Sequence, residues 1–129
     1  MLASWGVAMK PAPVRVLIVE DDPDSARMLR VLLKRSGYET QVEHDGLNAL
    51  RTAREFRPRF ILLDQTLEGM SGVEVANQLR AIPEIAGCTI LAVSGHSKES
   101  LSPPSPSDGH FQKPIDPEAS LDSLSKTRD

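Results

Sequence analysis

Three acids, a hydroxyl and a lysine carry the chemistry this sequence offers. Glu20 and Asp21 follow the apolar run Val16-Leu17-Ile18-Val19, and Asp64 ends Phe60-Ile61-Leu62-Leu63. Ser94-Gly95 follows Ile90-Leu91-Ala92-Val93, and Lys113-Pro114 follows His110-Phe111-Gln112. Short apolar runs bounded by turn residues suit strands buried on both faces. In open α/β sheets the carboxyl ends of such strands are where ligands bind. Three carboxylates at one edge repel one another and call for a cation, and hard oxygen donors with room for water and phosphate oxygens favour Mg²⁺, or Mn²⁺ in its place. A carboxylate is also a nucleophile toward phosphorus. Lys113 and the metal would neutralise charge on a transferring phosphoryl group, and the Ser94 hydroxyl would hydrogen-bond one of its oxygens. Each element is weak alone, since aspartate commonly starts a turn and a strand-end serine commonly bonds backbone. The ordered set, each member ending a predicted strand, is specific.

The intervening segments supply the frame. Arg15 to Val19 reads as the first strand. Asp22-Pro23 gives an N-cap and a proline at the first helical position, Ala26, Leu29, Leu32 and Leu33 recur at helical spacing, and Gly37 ends the helix. Tyr38 to Val42 alternates as a half-exposed strand does. Asp45-Gly46 caps a second helix with Leu47, Leu50 and Ala53 inward, stopping before Pro58. After the Phe60 strand, Ser71 to Glu74 has capping-box spacing and opens a helix with Val75, Ala76 and Leu79 inward, ended by Pro83. Thr89 to Val93 and His110 to Gln112 are the last strands, and Asp116-Pro117-Glu118 caps a final helix with Leu121 and Leu124 inward. Strands alternating with helices predict an α/β fold, a doubly wound five-stranded parallel sheet with helices on both faces. Ser97 to Gly109 breaks the alternation. Pro103, Pro104 and Pro106 remove donors and clash with the preceding turn, so the fourth crossover helix is expected to be missing or vestigial.

Composition sets the outer limits. The 129 residues suit one domain, 40% hydrophobic and 26% charged is an ordinary globular balance, and a net charge of −3 argues against a nucleic-acid-binding face. Arg51, Arg54, Arg57 and Arg59 read as a solvated helix face. Cys88, the single cysteine, excludes a disulfide framework and reads as a small buried hydrophobe. His44 and His96 lack partners at metal-ligand spacing and read as surface residues. No apolar run has the length of a membrane span and no signal peptide is visible, so the expected setting is cytoplasmic, without membrane contact. Residues 1–13, with Gly6, Pro11 and Pro13, read as a leader in which Trp5 is a packing anchor or a contact for another copy, and residues 14–129 as the domain.

From about Val14 onward the sequence resembles a response-regulator receiver domain of bacterial two-component signalling, with the flavodoxin-like/CheY-like order of elements. The resemblance lies in Val19-Glu20-Asp21-Asp22, Leu62-Leu63-Asp64, Met70-Ser71-Gly72, Val93-Ser94-Gly95 and Lys113-Pro114. It implies that Asp64 accepts a phosphoryl group from a sensor histidine kinase or a histidine phosphotransfer protein. It makes Glu20, Asp21, Asp64 and the Thr66 backbone carbonyl the metal ligands, Lys113 the phosphate contact, and Ser94 and His110 the switch residues. Asp22, one place beyond the usual acid pair, keeps its N-cap role. An unknown downstream protein would read the switch, and the chain would be no enzyme beyond its own phosphorylation and dephosphorylation. Two features depart from the pattern: Glu68 stands where proline is usual, and the proline-rich segment replaces a helix that commonly transmits the signal. The alternative is an interaction module whose binding ignores phosphorylation. A phosphatase of the haloacid-dehalogenase type would want an acid where Thr66 stands, and an FMN carrier would not place Glu20-Asp21-Asp22 against a phosphate. The chain would be a stand-alone receiver or a piece of a hybrid kinase or longer regulator.

Overall fold

A computed structural model of the chain describes residues 13–65, 67, 69–94 and 109–112. Within it run β1 (Arg15–Val19), α1 (Pro23–Arg35), β2 (Glu39–Glu43), α2 (Gly46–Phe56), β3 (Phe60–Asp64), α3 (Gly72–Arg80), a 3-10 turn at Pro83–Ile85, β4 (Thr89–Ser94) and β5 (Gly109–Gln112). The five strands form one sheet in the order β2-β1-β3-β4-β5, every neighbouring pair parallel. The doubly wound parallel sheet expected from the alternation is therefore present. The proline-rich segment, the final helix and Trp5 lie outside the described residues.

The pleat divides the core in two. Val16, Ile18, Phe60 and Leu62 face α1 and join Leu29, Leu33 and Tyr38. Leu17, Val19, Ile61 and Leu63 face the other way and join Ala49, Ala53, Val75, Ala76 and Leu79 of α2 and α3. Period-2 alternation within an all-apolar strand thus gives each sheet face its own helix layer. At roughly 1.5–3 kcal/mol for each large side chain buried, these two layers provide the main stabilisation.

The helix ends follow their local sequence. Asp22 caps α1 by accepting from the Ser25 N–H at 3.2 Å, with Pro23 behind it. At the other end Gly37 takes φ +91°, its N–H donates to the Lys34 carbonyl, and the Tyr38 N–H donates to the Leu33 carbonyl. This is a complete Schellman closure, and its usual apolar contact is supplied by Tyr38 and Leu33 in one core cluster. Arg57 closes α2 in the left-handed region (φ 52°), and the Arg15 guanidinium donates twice to its carbonyl, at 3.2 and 3.0 Å. A left-handed non-glycine residue costs about 1–2 kcal/mol, and this paired donation, with Arg15 also over the Phe56 ring, offsets it.

Four details differ from the pattern reading. Leu47 is 69% exposed, not inward. The inward stripe of α2 is Gly46, Ala49, Ala53 and Phe56, mostly small residues, with Leu50 at its margin. The reason is close approach: a Cβ on Gly46 would lie 2.7 Å from Val75 Cγ2. Leu32 is half-buried while Ala26, Leu29 and Leu33 are core. The second strand begins at Glu39 because Tyr38 is used in closing α1, and Pro83 opens a 3-10 turn after α3 has ended at Arg80. The four arginines from Arg51 to Arg59 are exposed as expected, but only Arg51 and Arg54 lie on the helix; Arg57 is its C-cap and Arg59 directly precedes β3. Cys88 is buried, as expected.

Asp45 caps α2, accepting from the Asn48 N–H at 2.8 Å and from the Asn48 side-chain amide at 2.7 Å. Those two bonds, the backbone one foremost, hold its carboxyl below the usual range. A carboxyl lowered on folding stabilises fully above its unfolded pKa and loses that contribution as pH falls through the folded value. Asp45→Ala should therefore cost about 1 kcal/mol at neutral pH, and denaturant titrations of both proteins should converge as pH drops below about 4. A pH-independent difference would contradict the ionised cap.

Candidate functional site

Walking along the sheet, the chain first steps from β1 out to β2 and then returns past β1 to β3. The switch point lies between β1 and β3, whose carboxyl ends diverge into helices on opposite faces and leave a crevice. Register fixes what stands there. Val19 pairs with Leu63, so Glu20 and Asp64 follow at the same level on adjacent strands. Their side chains, together with Asp21, each offer a carboxylate oxygen within 4.8 Å of the others. Glu20 is 3% and Asp64 2% exposed, while Asp21 is exposed.

The backbone around them is tightly held. The Glu20 N–H donates to the Glu43 carbonyl at 3.0 Å, extending the β1–β2 ladder by one residue, and the Gln65 N–H donates to the Val93 carbonyl at 2.8 Å. The Asp22 N–H reaches Glu20 Oε2 at 3.3 Å. His44 is exposed, yet its Nδ1 lies 2.9 Å from the Glu20 carbonyl oxygen. Because a carbonyl only accepts, Nδ1 is the protonated nitrogen there. Spacing along the chain gave no signal for this contact, which spans 24 positions.

Below Asp64 the N-terminus of α3 comes against the end of β3. Ser71 Oγ accepts from the Glu74 N–H at 3.2 Å, fulfilling the capping half of the predicted box. A Cβ on Gly72 would lie 2.5 Å from Gln65 Cα and 2.7 Å from the Asp64 carbonyl oxygen, so glycine is what lets the helix seat there. Gln65 is buried, donates from Nε2 to the Leu63 carbonyl at 3.3 Å, and leaves Oε1 without a partner among the described residues.

Of the expected site residues, Glu20, Asp21 and Asp64 come together. Ser94 ends β4, level with Gln112 of β5 and one residue past Val93, the pairing partner of Asp64, which puts its backbone at the same edge. His110 lies within β5, paired with Ala92. Thr66 and Lys113 fall outside the described residues; in sequence Lys113 is the next residue after β5. An all-oxygen set with two buried acids fits a hard divalent cation, which favours carboxylate oxygens brought this close together.

A parallel sheet with an acid crevice at its switch point defines an open α/β domain whose ligand site lies at the carboxyl ends of its strands. The sequence profile of the response regulator receiver domain matches residues 16–124, and the chain belongs to that family, the receivers of two-component response regulators. It is 38% identical over 103 residues to the DNA-binding response regulator MtrA of Mycolicibacterium smegmatis, covering 80% of this chain and 45% of that protein. The chain thus spans about half the length of this relative. Among solved structures it resembles a CheY-like receiver domain from Methylobacillus flagellatus, with TM-score 0.82 and 29% identity over 92% of this chain and 100% of that one. It also shares the fold of the receiver domain of the sensor histidine kinase PA1611 from Pseudomonas aeruginosa, TM-score 0.78 and 23% identity over 89% and 97%. That structure has a magnesium ion coordinated in its active-site cleft.

The Gly72 contact yields a stability prediction. Alanine favours helices over glycine by about 0.5–1 kcal/mol, but a Cβ 2.5 Å from backbone cannot be absorbed by a side-chain rotation. Gly72→Ala should lose about 1–3 kcal/mol in chemical denaturation. Gly87→Ala, where a Cβ meets nothing within 4 Å, should stay within about 0.5 kcal/mol of the parent. Equal effects at both positions would show that the α3–β3 approach is not a constraint.

Proposed function

We propose that Asp64 is the phosphoacceptor of this receiver, taking a phosphoryl group from a phosphohistidine of a sensor kinase or phosphotransfer protein in a reaction that needs Mg²⁺. The observation that carries this reading is the convergence of Glu20, Asp21 and Asp64 within 4.8 Å at the β1/β3 switch point. One Asp64 carboxylate oxygen attacks phosphorus, the P–N bond to the donor imidazole breaks, and the imidazole nitrogen keeps the electron pair. Glu20 and Asp21, with the Thr66 carbonyl, would hold Mg²⁺ beside Asp64. When bound, the ion offsets the carboxylate repulsion and the charge on the transferring phosphoryl oxygens. Lys113 would contact a phosphoryl oxygen from the end of β5, and Ser94 would hydrogen-bond another once the group is in place. His110 would be the ring that follows Ser94 in the switch. Asp22 is committed to capping α1, which leaves the acid pair as Glu20 and Asp21.

In this reading the chain is a signalling module that catalyses only its own phosphorylation and dephosphorylation. Residues 14–129 form the receiver and 1–13 its leader, and a downstream protein reads the switch. The expectation of no nucleic-acid contact is proposed of this receiver alone, since the MtrA relative is by name a DNA-binding regulator. No helix among the described residues is long and apolar enough to cross a membrane. A cytoplasmic setting is part of the proposal. A phosphorylation-independent interaction module has no use for three converging acids, and nothing here favours it.

The test is acetyl phosphate with and without Mg²⁺, followed by intact mass. One phosphate-sized gain that requires Mg²⁺ and vanishes in Asp64→Asn is expected. No gain with acetyl phosphate or with phosphohistidine donors, in folded protein, would overturn the assignment.

A further inference from the structure

On the α1 flank of the sheet, away from the acid crevice, α1 and β2 enclose an open cleft of about 450 Å³. Arg27 and Arg30, one helical turn apart and both exposed, form one wall. Half-buried Val42 gives it an apolar patch, and His44, which also contacts the Glu20 carbonyl, stands at the end nearest the crevice. None of the described residues lining it is acidic. In a chain of net charge −3, that is a local excess of cations with no carboxylate of the cleft to answer it. The opposite flank of β2 differs: there Arg15 and Arg57 line a cleft together with Glu39 and Glu55.

A second observation points the same way. Thr40 lines the α1–β2 cleft, is 9% exposed, and its hydroxyl has no hydrogen-bond partner among the described residues. A buried hydroxyl without a bond is costly, and valine has the same shape and suits a strand better. An anion lodged in the cleft would give that hydroxyl an acceptor after a small shift. Two guanidinium groups at helical i, i+3 spacing stand as neighbours on one face and present paired donors to the oxygens of a phosphate.

We propose that the cleft between α1 and β2 binds a small organic phosphate monoester, its phosphate held by Arg27 and Arg30 with the Thr40 hydroxyl, and its organic part resting on Val42. A volume of this size is that of small-molecule sites, which join an apolar lining to a few placed polar groups. The site is separate from Asp64 and requires neither Mg²⁺ nor phosphorylation.

The test is a titration of Mg²⁺-free protein with adenosine monophosphate, read by amide chemical shifts in ¹⁵N-labelled chain. Saturable shifts centred on residues 26–30 and 40–42 are expected, with affinity reduced roughly tenfold or more in Arg27→Ala/Arg30→Ala, as the loss of charge-assisted bonds implies. Thr40→Val should weaken binding while raising the melting temperature. Shifts that never saturate, that centre on the edge around Asp64, or that titrate identically in the arginine variant would overturn the site. Thr40→Val keeps the proposal falsifiable even if the double variant folds poorly, because unchanged binding there contradicts the geometry. With no phosphodonor or metal present, failure here leaves the phosphoacceptor assignment untouched, and the reverse holds too.

Discussion

Like charges forced together at the end of a parallel sheet are the constraint around which this molecule is arranged. Glu20 and Asp64 are nearly sealed from water, Asp21 lies at the surface beside them, and the three offer oxygens within 4.8 Å. Burying two carboxylates costs several kcal/mol per ion unless something compensates. Few apolar cores would tolerate that arrangement for packing reasons, and none needs it. The β1–β3 register makes the crowding unavoidable: once Val19 pairs with Leu63, the next residues on both strands must share the edge. The crowding of the acids and the chemistry proposed for Asp64 thus have one origin, the β1–β3 register. A cluster of hard oxygen donors at this spacing is suited to a divalent cation.

The rest of the fold keeps that edge from relaxing. Asp22 caps α1 and so stays out of the acid set. Gly72 lets α3 press against the Asp64 carbonyl, and the Gln65 N–H is pinned to Val93. Gly46 lets α2 pack closely on Val75 and Met70. His44 reaches back from the end of β2 to the Glu20 carbonyl. These are short-range devices, each of about a kcal/mol, but together they fix where three side chains meet. The α1–β2 cleft sits on the other side of His44, so the two cation-lined and acid-lined regions are neighbours without sharing their polar groups.

Much of this was legible from residue order, and for identifiable reasons. Strand ends and caps are local: an apolar run into an acid, Asp-Pro before a helix and Ser-Gly-Val-Glu each specify their own backbone. The acid constellation was legible because parallel strands bring their carboxyl ends to one edge whatever the intervening lengths. What pattern reading missed depends on three-dimensional closeness. Leu47 was read inward for its size, while α2 in fact turns small residues inward because Val75 and Met70 come so near. Leu32 was over-buried by the same logic. The His44 contact, the lone Gln65 oxygen and the Thr40 hydroxyl depend on residues far apart in sequence, and no periodicity encodes them.

Phosphoryl transfer to Asp64 as proposed requires that the crowded acids hold a cation. Isothermal titration of Mg²⁺ into the unmodified chain and into Glu20→Gln/Asp21→Asn, with circular dichroism to verify folding, measures it directly. Saturable one-to-one binding, weakened by about tenfold or more in the variant, is the predicted result, as expected for the loss of two hard oxygen ligands. A folded parent that binds no Mg²⁺, or a folded variant that binds it equally well, would contradict the central claim.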